Sequence, residues 1–258
     1  MEEKIEKKIK EIIEESGNTF HFEVVDFLRK KDWGVLISPY YSDSISNKSR
    51  EVDIIAEKDF LIENELEDKT GLIRVRFFIE CKYIKKEIVF WFDKKDTEKA
   101  LKKLVNSTLL KPSTVNTAIE NHRCFKEEDV AKLFSSSQDK LQENEPIYRA
   151  LNQSLNSMIS YTDINPVTKL PRRKLPVEET VDYPIILCNS FDKFYKSDTS
   201  GISDNFQLEI NYAYRYNDKN LHDYFLIEIV DFDKFDNFLE KLEKTDIEAF
   251  RQAAMRYN

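Results

Sequence analysis

Two short stretches whose side chains alternate between faces constrain this chain most. In Arg76-Phe77-Phe78-Ile79-Glu80-Cys81-Lys82-Tyr83, residues Phe77, Ile79, Cys81 and Tyr83 share one face, and Arg76, Phe78, Glu80 and Lys82 the other. In Glu51-Val52-Asp53-Ile54-Ile55-Ala56, the apolar Val52, Ile54 and Ala56 group together and Asp53 points away from them. A period of two in β-branched and aromatic residues is a strand signal. An apolar sheet face must be covered, and 258 residues with 41% apolar content are ample for a buried core.

Composition removes several functions. The four glycines, Gly17, Gly34, Gly71 and Gly201, are far apart, so no phosphate loop, dinucleotide loop or G-x-S-x-G elbow can be written. Cys81, Cys124 and Cys188 are odd in number and widely spaced, and with His21, His122 and His222 they fit no zinc spacing. No disulfide framework is indicated, so a reducing cytoplasm is the expected compartment. The first residues, Met-Glu-Glu-Lys-Ile-Glu-Lys-Lys, are charged and lack the apolar core of a signal peptide. No apolar run is long enough to cross a bilayer, so no membrane partner is expected. The net charge of −8 argues against general nucleic-acid binding. From 82 to 111, however, nine lysines face four acidic residues, a local basic stretch that is either a solvated helix face or a backbone-tracking surface.

Elements follow along the chain. Ile5, Ile9, Ile12 and Ile13 form one helical stripe that Gly17 ends. Asn18 or Thr19 can cap a second helix over about 19–31, with Phe20, Val24, Phe27 and Leu28 on one face. Residues 35–40 read as a strand, 41–50 as a polar loop, 58–71 as a charged extended turn, and 72–83 and 87–92 as strands. Phe90, Trp91 and Phe92 read as buried on both faces. Asp96 or Thr97 can cap a helix carrying Ala100, Leu101, Leu104 and Val105. Apolar residues then thin out, and 111–179 reads as a helical insertion with a Pro-punctuated linker and its best helix over about 146–161. Residues 183–188 form a continuous apolar run suited to a buried central strand. Residues 206–216 and 224–232 read as paired strands, followed by a helix with Phe235, Phe238, Leu239 and Leu242 on its stripe. The expected division is 1–110, 111–179 and 180–258.

The chemistry lies on the two alternating strands. Glu80 and Lys82 are same-face neighbours about 6–7 Å apart, and pairing with 51–56 brings Asp53 beside them. Two close carboxylates repel unless a cation lies between them. Oxygen ligands without His or Cys select a hard ion, Mg²⁺ or Mn²⁺. Such an ion polarises a phosphoryl oxygen and acidifies water, and an adjacent lysine orients that water or stabilises developing charge. The combination points to phosphodiester hydrolysis. The same residues on an open face would form a solvated ion pair worth little, but Phe78 and Ile55 on that face point to cover, and buried charges need partners.

Asp53 followed by Glu80-Cys81-Lys82 resembles the D…(D/E)-x-K motif of the PD-(D/E)XK, or restriction-endonuclease-like, nucleases. Glu23 in His21-Phe22-Glu23-Val24-Val25 is similar to the helix glutamate that many of these enzymes add to the metal site. It lies at the margin of its helix's apolar stripe, which suits a cleft residue and an ordinary boundary glutamate alike. Arg50–Ala56 is similar to the family's second core strand and Phe78–Lys82 to its third. Glu51-Val52 stands where the family often has a proline before the aspartate, and 26 residues separate Asp53 from Glu80. The resemblance covers about the first 110 residues and one later strand.

It implies an α/β fold: a restriction-endonuclease-like core of α-β-β-β-α-β order, a mixed central sheet flanked by helices, with a helical insertion. It also implies that Asp53, Glu80, the Cys81 carbonyl and Glu23 ligate Mg²⁺ or Mn²⁺, and that Lys82 positions the attacking water. The implied function is a metal-dependent endonuclease acting on nucleic acid, DNA before RNA, with restriction or anti-phage defence as a role the family allows. A homodimer or a partner subunit would supply target recognition to so acidic a chain. The alternative is a catalytically inactive nuclease-like fold serving as a nucleic-acid-binding or assembly module.

Overall fold

Gly17 adopts the left-handed conformation (φ 71°) and sits at the N-cap of helix α1 (Asn18–Lys30), which buries Phe20, Val24, Val25 and Leu28 along one stripe. The structure, a computed structural model, describes residues 5, 6, 8, 9, 13, 17–43, 48–64, 69–108, 122–126, 128–136, 146–161, 167, 177–216 and 219–256. Of the stripe expected near the N-terminus, Ile12 lies outside the described residues, and Ile5, Ile9 and Ile13 are helical and exposed.

After α1 come β1 (Gly34–Ile37), β2 (Tyr40–Ser42), β3 (Ser49–Glu51), β4 (Ile54–Asn64), β5 (Lys69–Lys82) and β6 (Ile88–Lys94). Helix α2 (Thr97–Ser107) follows, with Asp96 as its cap accepting from the Lys99 amide. Next are β7 (Asp129–Ser136), helix α3 (Pro146–Tyr161), β8 (Val177–Cys188), β9 (Phe194–Lys196), β10 (Phe206–Tyr216) and β11 (Lys219–Asp231). Helices α4 (Phe235–Leu242) and α5 (Glu248–Arg256), joined by a π-helical turn, end the described chain. Among the described residues no helix is long and apolar enough to cross a membrane.

The fold is mixed α/β. Nine strands form one sheet in the order β1-β4-β5-β8-β11-β10-β7-β6-β9, and β2 and β3 form a separate small ribbon. β1, β4 and β5 are an antiparallel meander, and β8 joins β5 in parallel. Parallel pairing requires a crossover, and α3 lies within it. One sheet face, through Ala56, Phe77, Ile79 and Leu187, is covered by α1, α4 and α5. The other, through Ile55, Phe78, Ile186 and Ile229, is covered by α3 and by the strands at the β6–β9 end, whose Phe90 and Phe194 reach the same cluster. Helices on both faces explain why the β8 segment is an unbroken apolar run.

Three sequence expectations differ. Where it is described, the charged turn at 58–71 is the far half of a long β4–β5 hairpin, and its Asp59 is held by two nitrogens of Arg74, at 2.8 and 2.9 Å. The 111–179 segment is no separate helical insertion where it is described. β7 belongs to the central sheet, and α3 buries Ile147, Leu151 and Leu155 in the core. Its Ser-rich flanks and single short alternation concealed β7. Phe90 is fully buried, but Trp91 on the opposite face is 41% exposed beside Leu133.

Candidate active site

Asp53 sits where the chain leaves the β2–β3 ribbon and enters β4. Val52 and Asp53 are outside the ladder, and two bonds set this bend: the Ser38 amide donates to the Asp53 carbonyl (2.9 Å) and the Val52 amide to the Pro39 carbonyl (3.1 Å). His21 Nε2, from the first turn of α1, reaches the same Asp53 carbonyl at 2.8 Å. The β4–β5 register, Ile54 opposite Ile79, then carries Asp53 to the level of Glu80.

The side chains interlock. Asp53 Oδ2 accepts from the Cys81 amide at 2.7 Å, and the Asp53 amide lies 3.3 Å from Glu80 Oε1. Lys82 Nζ donates to Glu80 Oε2 at 2.8 Å and is 4.0 Å from Asp53 Oδ2. Glu80 has no exposed side-chain surface, whereas Asp53 and Lys82 are about a quarter and a fifth exposed (25% and 20%), so the group opens to solvent on the Asp53 side. Asn189 fixes the end of β5: its amide donates to the Lys82 carbonyl (3.1 Å), and its Oδ1 accepts from Ile84 (2.6 Å).

Burial pushes the Glu80 carboxyl up to about 8, further raised by Asp53 and opposed by Lys82. For Lys82, burial acts to lower the ammonium's value, but Glu80 and Asp53 outweigh it and hold it above the ordinary one. Tyr41, on β2, is buried in the same cluster as Ile55 and Phe78. Among the described residues its hydroxyl has no hydrogen-bond partner, and burial, followed by the negative charges of Glu80 and Asp43, pushes the phenol up.

No family model, curated protein or solved structure matches this chain.

The structure thus brings Asp53, Glu80, Cys81 and Lys82 together. It does not bring Glu23 to them. His21 marks the side of α1 that meets Asp53, and Glu23, two residues on, is turned by about 200° and exposed. Within the basic stretch, Lys94 pairs with Asp129, Lys99 with Asp96 and Lys103 with Asp223, Lys95 is buried against the Arg123 carbonyl, and Lys85, Lys86 and Lys102 are exposed. Sequence reasoning gives His21 as a surface or capping residue and passes over Tyr41 and Asn189. Their roles depend on contacts with distant segments, and no local pattern marks them.

Among the described residues, no three His, Cys, Asp or Glu side chains gather closely enough to cage a metal ion. The donor set still suits Mg²⁺, which takes one or two carboxylates and keeps its remaining positions for water and phosphate. Asp53 and Glu80 would be those carboxylates, and the Cys81 carbonyl would be a further hard oxygen next to Glu80 on β5.

Proposed function

We propose that this protein is a metal-dependent endonuclease that hydrolyses phosphodiester bonds in nucleic acid, DNA in preference to RNA. One observation carries the reading: an aspartate at a strand break and a glutamate–lysine couple on the neighbouring strand share one hydrogen-bonded group that opens to solvent. The order of elements supports it: a helix, the antiparallel β1-β4-β5 meander and, beyond β6, α2 and β7, the crossover helix α3 and the parallel strand β8 are compatible with the α-β-β-β-α-β series of a restriction-endonuclease-like core. A bound Mg²⁺ or Mn²⁺ would polarise the phosphoryl group and acidify water. Asp53 and Glu80 would hold the ion, and Lys82, anchored on Glu80, would orient the attacking water and offset charge on the phosphorane. Restriction or defence against foreign DNA is one role that such a core allows.

A second reading, a nuclease-like fold kept for nucleic-acid binding or assembly, draws on a specific observation. Glu80 is fully buried, with one oxygen on Lys82 and the other facing the Asp53 amide. Incubation with plasmid, linear DNA and RNA in Mg²⁺ or Mn²⁺, against a chelator control, separates the two. The endonuclease reading expects metal-dependent cleavage, lost by a factor of about 10² or more in Glu80→Ala and in Lys82→Ala with folding retained. Wild-type cleavage by either folded variant would falsify the assignment. Nucleic-acid binding without cleavage selects the module.

A further inference from the structure

A cavity of about 570 Å³ lies away from Asp53, at the other end of β8. Its origin is in the sequence. The β5–β8 ladder runs without interruption across Pro184, but β8 and β11 pair only from Ile185 and Glu228 onward. Proline has no N–H to donate, and here the missing donor falls on the β11 side. Upstream of it the two strands part. The opening is lined from both sheet faces, by Tyr183 and His122 on one side and Met158 and Ile159 of α3 on the other. Its volume falls within the range of small-molecule sites.

The walls define what fits. Arg76 is held by both oxygens of Asp182, at 2.6 and 2.8 Å, Arg123 by Asp246 and Glu228, and Lys103 by Asp223. Every cationic side chain of the lining is thus matched by a carboxylate, which disfavours a charged ligand. Tyr183, Tyr224 and Phe225 supply aromatic surface, and Asn106, Ser107 and Thr108 at the end of α2 add polar groups. One donor is unused. The Cys124 amide donates to His122 Nδ1 at 3.1 Å, which leaves the ring proton on Nε2. Among the described residues that nitrogen is buried with no hydrogen-bond partner. Its nearest carboxylate oxygen, Asp246 Oδ2 at 3.7 Å, already takes Arg123 Nε, Arg123 Nη2 and the Tyr183 hydroxyl. A buried donor of this kind calls for an acceptor.

We propose that this cleft is a second binding site, separate from the Asp53 group, for an uncharged heteroaromatic small molecule of nucleobase or nucleoside type, with a ring acceptor taken by His122 Nε2–H. The proposal does not depend on nuclease activity.

The test is the melting temperature of the full chain, titrated with adenosine, guanosine, cytidine and uridine to millimolar concentration, with the 5′-monophosphates as charged counterparts. The expected result is a saturable rise with at least one nucleoside and a smaller rise with its monophosphate. His122→Phe should weaken binding about tenfold, and Ser107→Trp, at the exposed rim, should block entry without touching the core. Asp53→Asn should bind as wild type. No rise with any nucleoside, tighter binding of the monophosphate, or unchanged binding in both folded cavity variants would overturn the proposal.

Discussion

At the scale of single residues, Glu80 is the most consequential. Burial raises its carboxyl from the ordinary 4.5 to about 8, even with Lys82 at 2.8 Å. A raised native value means that the folded chain binds this proton more tightly than the unfolded chain. Its contribution to stability is therefore full below the unfolded value and is lost as pH rises towards the folded one. Glu80→Gln keeps the shape and removes the titration. Urea midpoints at about pH 5 and about pH 8 should show wild type losing stability relative to Glu80→Gln as pH rises. Parallel profiles would mean that Glu80 is ionised throughout, held by Lys82 as a full ion pair. The spacing of Glu80, Lys82 and Asp53 was legible because strand alternation fixes faces. The distance of Glu23 from them was not, because a helical wheel orients a residue around its own axis and says nothing of which side meets Asp53.

At the scale of elements, apolar patterning exposed the strands and helices whose burial is continuous or one-sided: β8, the β10–β11 pair and α1. It missed the outer half of the β4–β5 hairpin, because its charged residues mask the alternation and the pairing of Asp59 with Arg74 appears only once the two strands lie side by side. It also assigned α3 to an insertion, although the helix is part of the core. Ser154, fully buried on α3, donates to the Phe78 carbonyl at 2.7 Å and ties the helix to the strand that carries Glu80. Ser154→Ala leaves that contact unmade and should cost about 1 kcal/mol in urea denaturation, with an unchanged m-value. A neutral result would show that helix packing alone positions α3.

At the scale of the whole molecule, the turn between the C-terminal helices is held to the sheet by one buried charge network. Arg123 follows the segment after α2, Asp246 lies in the π-helical turn between α4 and α5, Glu228 is on β11, and the Tyr183 hydroxyl reaches in from β8. Arg123, Asp246 and Glu228 are 5%, 1% and 5% exposed. Burial alone would raise Asp246, but Arg123 and then His122 hold it well below the usual carboxylate range. Its contribution is accordingly present at neutral pH and is lost only as acid carries the solution through that lowered value. Arg123→Ala leaves two carboxylates buried without their cation and should cost roughly 3–5 kcal/mol, a large part of the stability of an ordinary domain. Asp246→Ala should be destabilising for the converse reason. Because each single change strands a charge that the double change removes, the Arg123→Ala/Asp246→Ala pair should lose less than the two costs added together. Strict additivity in that cycle would show that the C-terminal helices are secured by the apolar contacts of Phe235, Phe238 and Phe250 rather than by the buried ions.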